Sequence, residues 1–173
     1  MDIQTILQEL ELLSTERTKK NYIRNGAHEP LFGVATGAMK PLAKKLKKNQ
    51  DIAEELYATG NYDAMYLAGM IADPSAMSEA DFDRWMDTGY FYMISDYIVA
   101  VTLAETDIAQ AVSDKWIASG KELFMSAGYS CYCWLLGNRH IRPARFPWCS
   151  PQCSPAGAAC RWRRKWRPFC GRW

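Results

Sequence analysis

Three short segments of the chain share one pattern. Leu56-Tyr57-Ala58-Thr59-Gly60, Trp85-Met86-Asp87-Thr88-Gly89 and Trp116-Ile117-Ala118-Ser119-Gly120 each run large apolar residue, two variable residues, hydroxyl and glycine, at spacings of 29 and 31 residues. A glycine there suits the left-handed position just past a helix end. Each is followed by a second apolar helical stretch, from Tyr62 to Ala72, Tyr90 to Leu103 and Glu122 to Leu136. A helix, a glycine turn and a second helix recurring about every 30 residues cannot bury its apolar face alone, so neighbouring units must stack. The pattern predicts an all-α solenoid of antiparallel helix pairs; the alternative, an ordinary helical bundle whose turns coincide, is also all-α.

The remaining helices follow from local signals. Apolar residues at Ile3, Ile6, Leu7, Leu10 and Leu13 have helical spacing. Ser14 is expected to N-cap a second helix over Thr15 to Arg24, which Asn25-Gly26 ends. After a loop holding His28 and Pro30, a third helix is expected to begin near Gly37 with Pro41 in its first turn and to expose Lys40, Lys44, Lys45, Lys47 and Lys48. Of these, Lys40, Lys44 and Lys48 fall on one face at i, i+4, i+8. Ser78-Glu79-Ala80-Asp81 has the form of an N-cap with an acidic third position.

Charge is segregated along the chain. Residues 1–50 carry nine Lys/Arg against five Asp/Glu, residues 51–138 three against fourteen, and residues 139–173 nine against none. An asymmetry of this size points to a polyanionic partner, to an unusual history for the tail, or to both, and the lysine-rich third helix is the candidate surface for successive phosphates. The alternative is a solubilising exposed face.

Residues 1–138 are read as one helical-repeat domain and residues 139–173 as a separate basic tail. That tail holds five of the eight Pro, four of the seven Trp and four of the six Cys, and helical periodicity stops at Gly137-Asn138. Three readings stay open for it: an out-of-frame translation without ordered structure; a basic aromatic arm in which Trp162, Trp166 and Trp173 interleave with arginines, suited to nucleic acid or to an anionic membrane surface; and a zinc knot of Cys149, Cys153, Cys160 and Cys170, whose spacing is loose for tetrahedral ligation. No metal site is assigned, since His28 and His140 are far apart and poorly accompanied. No basic leader precedes an apolar run and no window approaches a membrane span, so a cytoplasmic protein with reduced thiols is expected. Cys131 and Cys133 flank Tyr132 and read as small core residues.

From Tyr90 to Ala100 the only carboxylate is Asp96, one helical turn after Tyr92. A carboxylate among aromatics is costly to bury alone, so spacing by itself predicts a structural Asp bonded to a tyrosine or to backbone. Trp85 and Trp116, at equivalent repeat positions, are expected in the core.

Through Ala27-His28-Glu29-Pro30-Leu31-Phe32-Gly33-Val34, Trp85 and the stretch from Tyr92 to Asp96, residues 1–138 resemble the AlkD-like family of bacterial DNA alkylation repair proteins. The resemblance implies a right-handed solenoid of HEAT-like helix pairs. It also implies hydrolysis of the N-glycosidic bond of cationic alkylated purines in double-stranded DNA, by a monomer without cofactor, metal or membrane. In the family's aromatic-x-x-x-Asp pattern, Asp96 would stabilise the oxocarbenium-like sugar and orient water, and Tyr92 would face the cationic lesion through its ring. Two features depart from that pattern: Tyr92 stands where active members have Trp, and no Arg, such as they use to hold phosphate, lies between Trp85 and Asn138. Two further functions therefore stand beside the glycosylase: a non-catalytic DNA-structure binder of the same fold, and a helical-repeat scaffold for other proteins.

Overall fold

A computed structural model of the chain describes residues 2–137. The readings of the tail and of His140 lie outside the described residues. Among the described residues the regular structure is helical, with one isolated bridge between Ser14 and Val34.

Helix α1 (Ile3–Leu12) is capped by Asp2 and buries Ile6 and Leu10. Helix α2 (Glu16–Arg24) is capped by Thr15 rather than Ser14: the Thr15 hydroxyl accepts from the Thr18 N–H at 3.3 Å, while Ser14 is drawn into the bridge with Val34. Helix α3 (Thr36–Leu46) places Pro41 in its second turn and ends at Lys47, whose φ is +57°. A non-glycine residue in the left-handed region turns the chain out of the helix. Lys48 therefore lies past the helix end, and the expected lysine face stops at Lys44.

Three helix pairs follow. Helix α4 (Gln50–Ala58) packs on α5 (Tyr62–Ile71). Helix α6 (Glu79–Thr88) opens with the expected capping box, Ser78 and Asp81 bonding reciprocally. Its partner is interrupted, as α7 (Tyr92–Ile94), a π-helical segment (Ser95–Val99) and α8 (Ala100–Leu103). Helix α9 (Ala109–Ala118) packs on α10 (Glu122–Gly137).

The repeated glycines split into two kinds. Gly60 and Gly120 have φ of +67° and +72°, as expected, whereas Gly89 has φ −74°. Gly89 is close-packed instead: a Cβ there would stand 3.2 Å from the Trp85 carbonyl oxygen, a tight contact that needs a small adjustment.

The repeats are joined by one recurring contact. Trp85 Nε1 donates to Glu54 at 3.2 Å and Trp116 Nε1 to Asp83 at 2.7 Å. The cation before each Trp reaches the same acid, Arg84 to Glu54 at 2.7 Å and Lys115 to Asp83 at 2.6 Å. Glu54 and Asp83 each stand two residues before the large apolar residue of their own unit. Each unit thus presents an acid that holds the indole and the cation of the next, which accounts for part of the acidic middle block. Both indoles are 1% exposed, as expected for core residues. Of the two cysteines among the described residues, Cys131 is buried, which pushes its thiol pKa up to about 11. Cys133 is exposed rather than in the core, because residues two apart on a helix face different ways.

Candidate nucleic-acid interface

The loop from Ala27 to Val34 is the most heavily anchored irregular segment of the described chain. Asp63, in the first turn of α5 and fully buried, accepts backbone N–H groups from Phe32 at 2.7 Å, Gly33 at 2.8 Å and Val34 at 2.9 Å. Burial pushes its carboxyl pKa up, and the three N–H donors pull against that rise. The Tyr62 N–H donates to Pro30 O at 3.0 Å, the Thr15 N–H to Gly33 O at 3.0 Å, and the Tyr22 hydroxyl to Val34 O at 2.9 Å. Gly33, at φ +92°, lies so close to α2 that a Cβ would sit 2.6 Å from the Lys19 nitrogen.

This anchoring ties the loop to two other elements. Toward α2, Lys19 pairs with Glu29 at 2.9 Å. Toward the entry of α7, the Tyr90 hydroxyl donates to His28 O at 3.1 Å, and the His28 and Tyr90 rings stack at 3.6 Å between centroids. A run of rings continues from there: Tyr90 to Phe91 at 6.3 Å, Phe91 to Tyr92 at 4.6 Å, and Phe91 to Tyr62 at 6.0 Å.

Asp96 lies in the π-helical segment, a geometry that recurs at functional sites. Its carboxylate is bonded neither to a tyrosine nor to backbone, as spacing alone predicts, but to serine hydroxyls: Ser126 of α10 donates to one oxygen at 2.7 Å and Ser95 to the other at 2.9 Å. Burial raises its pKa, while the hydroxyls of Ser126, Ser95 and Ser130 lower it. Among the described residues no lysine or arginine forms an ion pair with it. Tyr92 is 42% exposed, its ring set edge-on against Phe91. The expected pair is thus an exposed tyrosine and, four residues on, a half-buried carboxylate.

The lysines expected to meet phosphate differ in availability. Lys40 and Lys44 are exposed and make no ion pair among the described residues. Lys45 bridges to Glu9 of α1 at 2.9 Å, Lys47 is the cap that ends α3, and Lys48 lies near enough to Asp73 to lower its pKa. Sequence reasoning passed over α2. Its Arg17, Lys20 and Arg24, spaced i, i+3, i+7, are exposed, pair with no acid among the described residues, and line a shallow depression with Thr18 and Asn21. That spacing was the available signal. The link through Lys19 and Glu29 makes α2 the cationic element that adjoins the anchored loop.

Residues 6–151 match a protein family described as DNA alkylation repair enzyme. A solved structure described as "a new family of proteins related to the HEAT-like repeat DNA glycosylases with affinity for branched DNA structures" is 72% identical, with a TM-score of 0.80, and the match covers 83% of this chain and 63% of that one. An uncharacterized protein of Listeria innocua serovar 6a is 27% identical over 130 residues, and one of Listeria monocytogenes serovar 1/2a is 25% identical over 129. Each match covers 72% of this chain and 58% of the relative, so the chain spans less than two thirds of the length of these relatives.

Proposed function

The chain belongs to the DNA alkylation repair family, and from that membership we propose that it is a DNA-structure binding protein that recognises branched DNA, with Asp96 serving as a structural rather than a catalytic carboxylate. The observation that carries this reading is the closure of serine hydroxyls on Asp96: both oxygens already accept a hydrogen bond, and among the described residues no arginine pairs with it. The affinity of the 72% identical protein for branched DNA supports the choice of ligand. The cations of α2, adjoining the loop from Ala27 to Val34, supply the phosphate contacts, and Lys40 and Lys44 extend them. On this reading the protein works in the cytoplasm as a monomer.

A glycosylase is the second reading, favoured by one observation. Asp96 sits half-buried in a π-helical segment just after the exposed Tyr92, so a carboxylate in a drier place would favour the positive charge developing on a sugar while the tyrosine ring faced a cationic base. A base that is already cationic needs no general acid to leave.

The two readings separate on Asp96→Asn. Burial raises the folded-state pKa of Asp96, so its stabilising contribution is fullest in acid, below the unfolded value, and is lost as pH rises through the folded value. The Asn variant removes the desolvated charge and keeps one acceptor oxygen for the serine hydroxyls, so it is expected to keep its fold at neutral pH. We expect neither the natural chain nor Asp96→Asn to release methylated purine from alkylated duplex above background, and both to bind a four-way junction alike. Release by the natural chain that is lost in the variant would establish the glycosylase.

Charge reversal on α2 tests the phosphate contacts. Arg17→Glu with Lys20→Glu is expected to weaken DNA binding roughly 10- to 100-fold near physiological salt and to flatten the plot of log affinity against log salt by about 2, close to one phosphate per residue. An unchanged slope would remove α2 from the interface.

A further inference from the structure

We propose that the stacked His28–Tyr90 pair is the element that meets the open face of a terminal base pair at a DNA branch point. This rests on the reading of the protein as a branched-DNA binder, and it specifies how a branch is told from continuous duplex. In a continuous helix both faces of every base pair are covered by neighbours. At a branch or a nick the stack is interrupted, and an aromatic face becomes available to another ring.

His28 is built to offer such a ring. Tyr90 covers one face of the imidazole, at 3.6 Å between centroids and 26° between planes, and His28 remains exposed. No other ring stacks on it among the described residues. The imidazole is also oriented, with Nδ1 lying 3.2 Å from the Glu29 carbonyl oxygen, an acceptor that takes an Nδ1–H. The backbone beneath it is held from two sides, by the Tyr90 hydroxyl on His28 O and by the three N–H bonds that pin Phe32, Gly33 and Val34 to Asp63. A ring fixed in this way loses little conformational freedom when a base pair lands on it.

Its surroundings suit the same partner. Lys19 reaches Glu29, the residue after His28, and the exposed Arg17 and Lys20 stand on that same helix α2. A base pair seated on His28 would bring its flanking phosphates toward these cations. Tyr90 in turn rests against Phe91, so the stack continues into the core instead of hanging from a single side chain.

The test is the ratio of affinities for a four-way junction and a linear duplex of the same strands, read beside the fluorescence of 2-aminopurine placed next to the crossover. With the natural chain the ratio favours the junction and the probe is quenched on binding. His28→Ala is expected to lower the ratio roughly tenfold and to abolish the quench, whereas His28→Phe, which keeps a stacking ring, restores both. An unchanged ratio in His28→Ala overturns the proposal. So does a ratio that falls equally in both variants together with their melting temperatures, since that marks a loop anchor only. In either case the branched-DNA reading stands as long as the natural chain binds the junction more tightly than the duplex. If the natural chain shows no such preference, the reading itself fails and the proposal with it.

Discussion

Asp63→Ala is expected to destabilise the protein by about 3–5 kcal/mol, because the substitution strands the N–H groups of Phe32, Gly33 and Val34, and a buried donor without an acceptor costs about 1–3 kcal/mol. The desolvation that raises the carboxyl pKa offsets part of what its three donors contribute. What the Ala variant cannot recover is an acceptor: Gly33 and Val34 pair with Asp63 in buried surroundings, where water cannot substitute. The damage should be local before it is global. In hydrogen exchange on the natural chain these three amides should be protected together with α5; in Asp63→Ala they should exchange early, and Lys19, packed against Gly33, should loosen with them. Urea denaturation gives the magnitude, and a loss below about 1 kcal/mol would mean that the loop finds other acceptors.

Trp85→Ala should cost a similar amount, about 3–5 kcal/mol, the usual range for deleting a fully buried large aromatic. The indole stacks on Tyr57 at 4.1 Å and 6° between planes, and Tyr57 donates its hydroxyl to Trp85 O at 2.7 Å, so the side chain of one repeat seats that of the one before it. The Nε1 bond to Glu54 is a lesser part of the total. Glu54 is half-buried, Arg84 is largely exposed, and ion pairs of that kind contribute about 0–1 kcal/mol. Glu54→Gln, which keeps an acceptor oxygen, should therefore be mild. If Glu54→Gln proved as damaging as Trp85→Ala, the joint between repeats would be electrostatic rather than packed.

What was legible in the sequence was local. The capping box at Ser78 and Asp81 and the left-handed Gly60 and Gly120 depend on residues within a few positions of one another, and the repeat register that buries Trp85 and Trp116 is read from copies of one such local pattern. Contacts between units were not legible. Asp63 meets its donors 29 to 31 residues away, and Asp96 meets Ser126 across 30, so neither leaves a signal within one turn of helix. The π-helical segment that holds Asp96 was not legible either, since an inserted residue in a helical turn leaves no periodicity signal of its own. The availability of the basic side chains was hidden for a third reason. Counting lysines favoured α3, but counting cannot show that Lys45 is committed to Glu9 or that the helix ends before Lys48, while the smaller set on α2 adjoins the anchored loop.

The reading of this chain as a branched-DNA binder of the DNA alkylation repair family is tested most directly by titrating a fluorescent four-way junction and a linear duplex of matched sequence with the full chain at fixed salt. The account predicts tighter binding to the junction, retained by Asp96→Asn and weakened on both DNAs by Arg17→Glu with Lys20→Glu. Equal affinity for junction and duplex, or no binding to either, would contradict it.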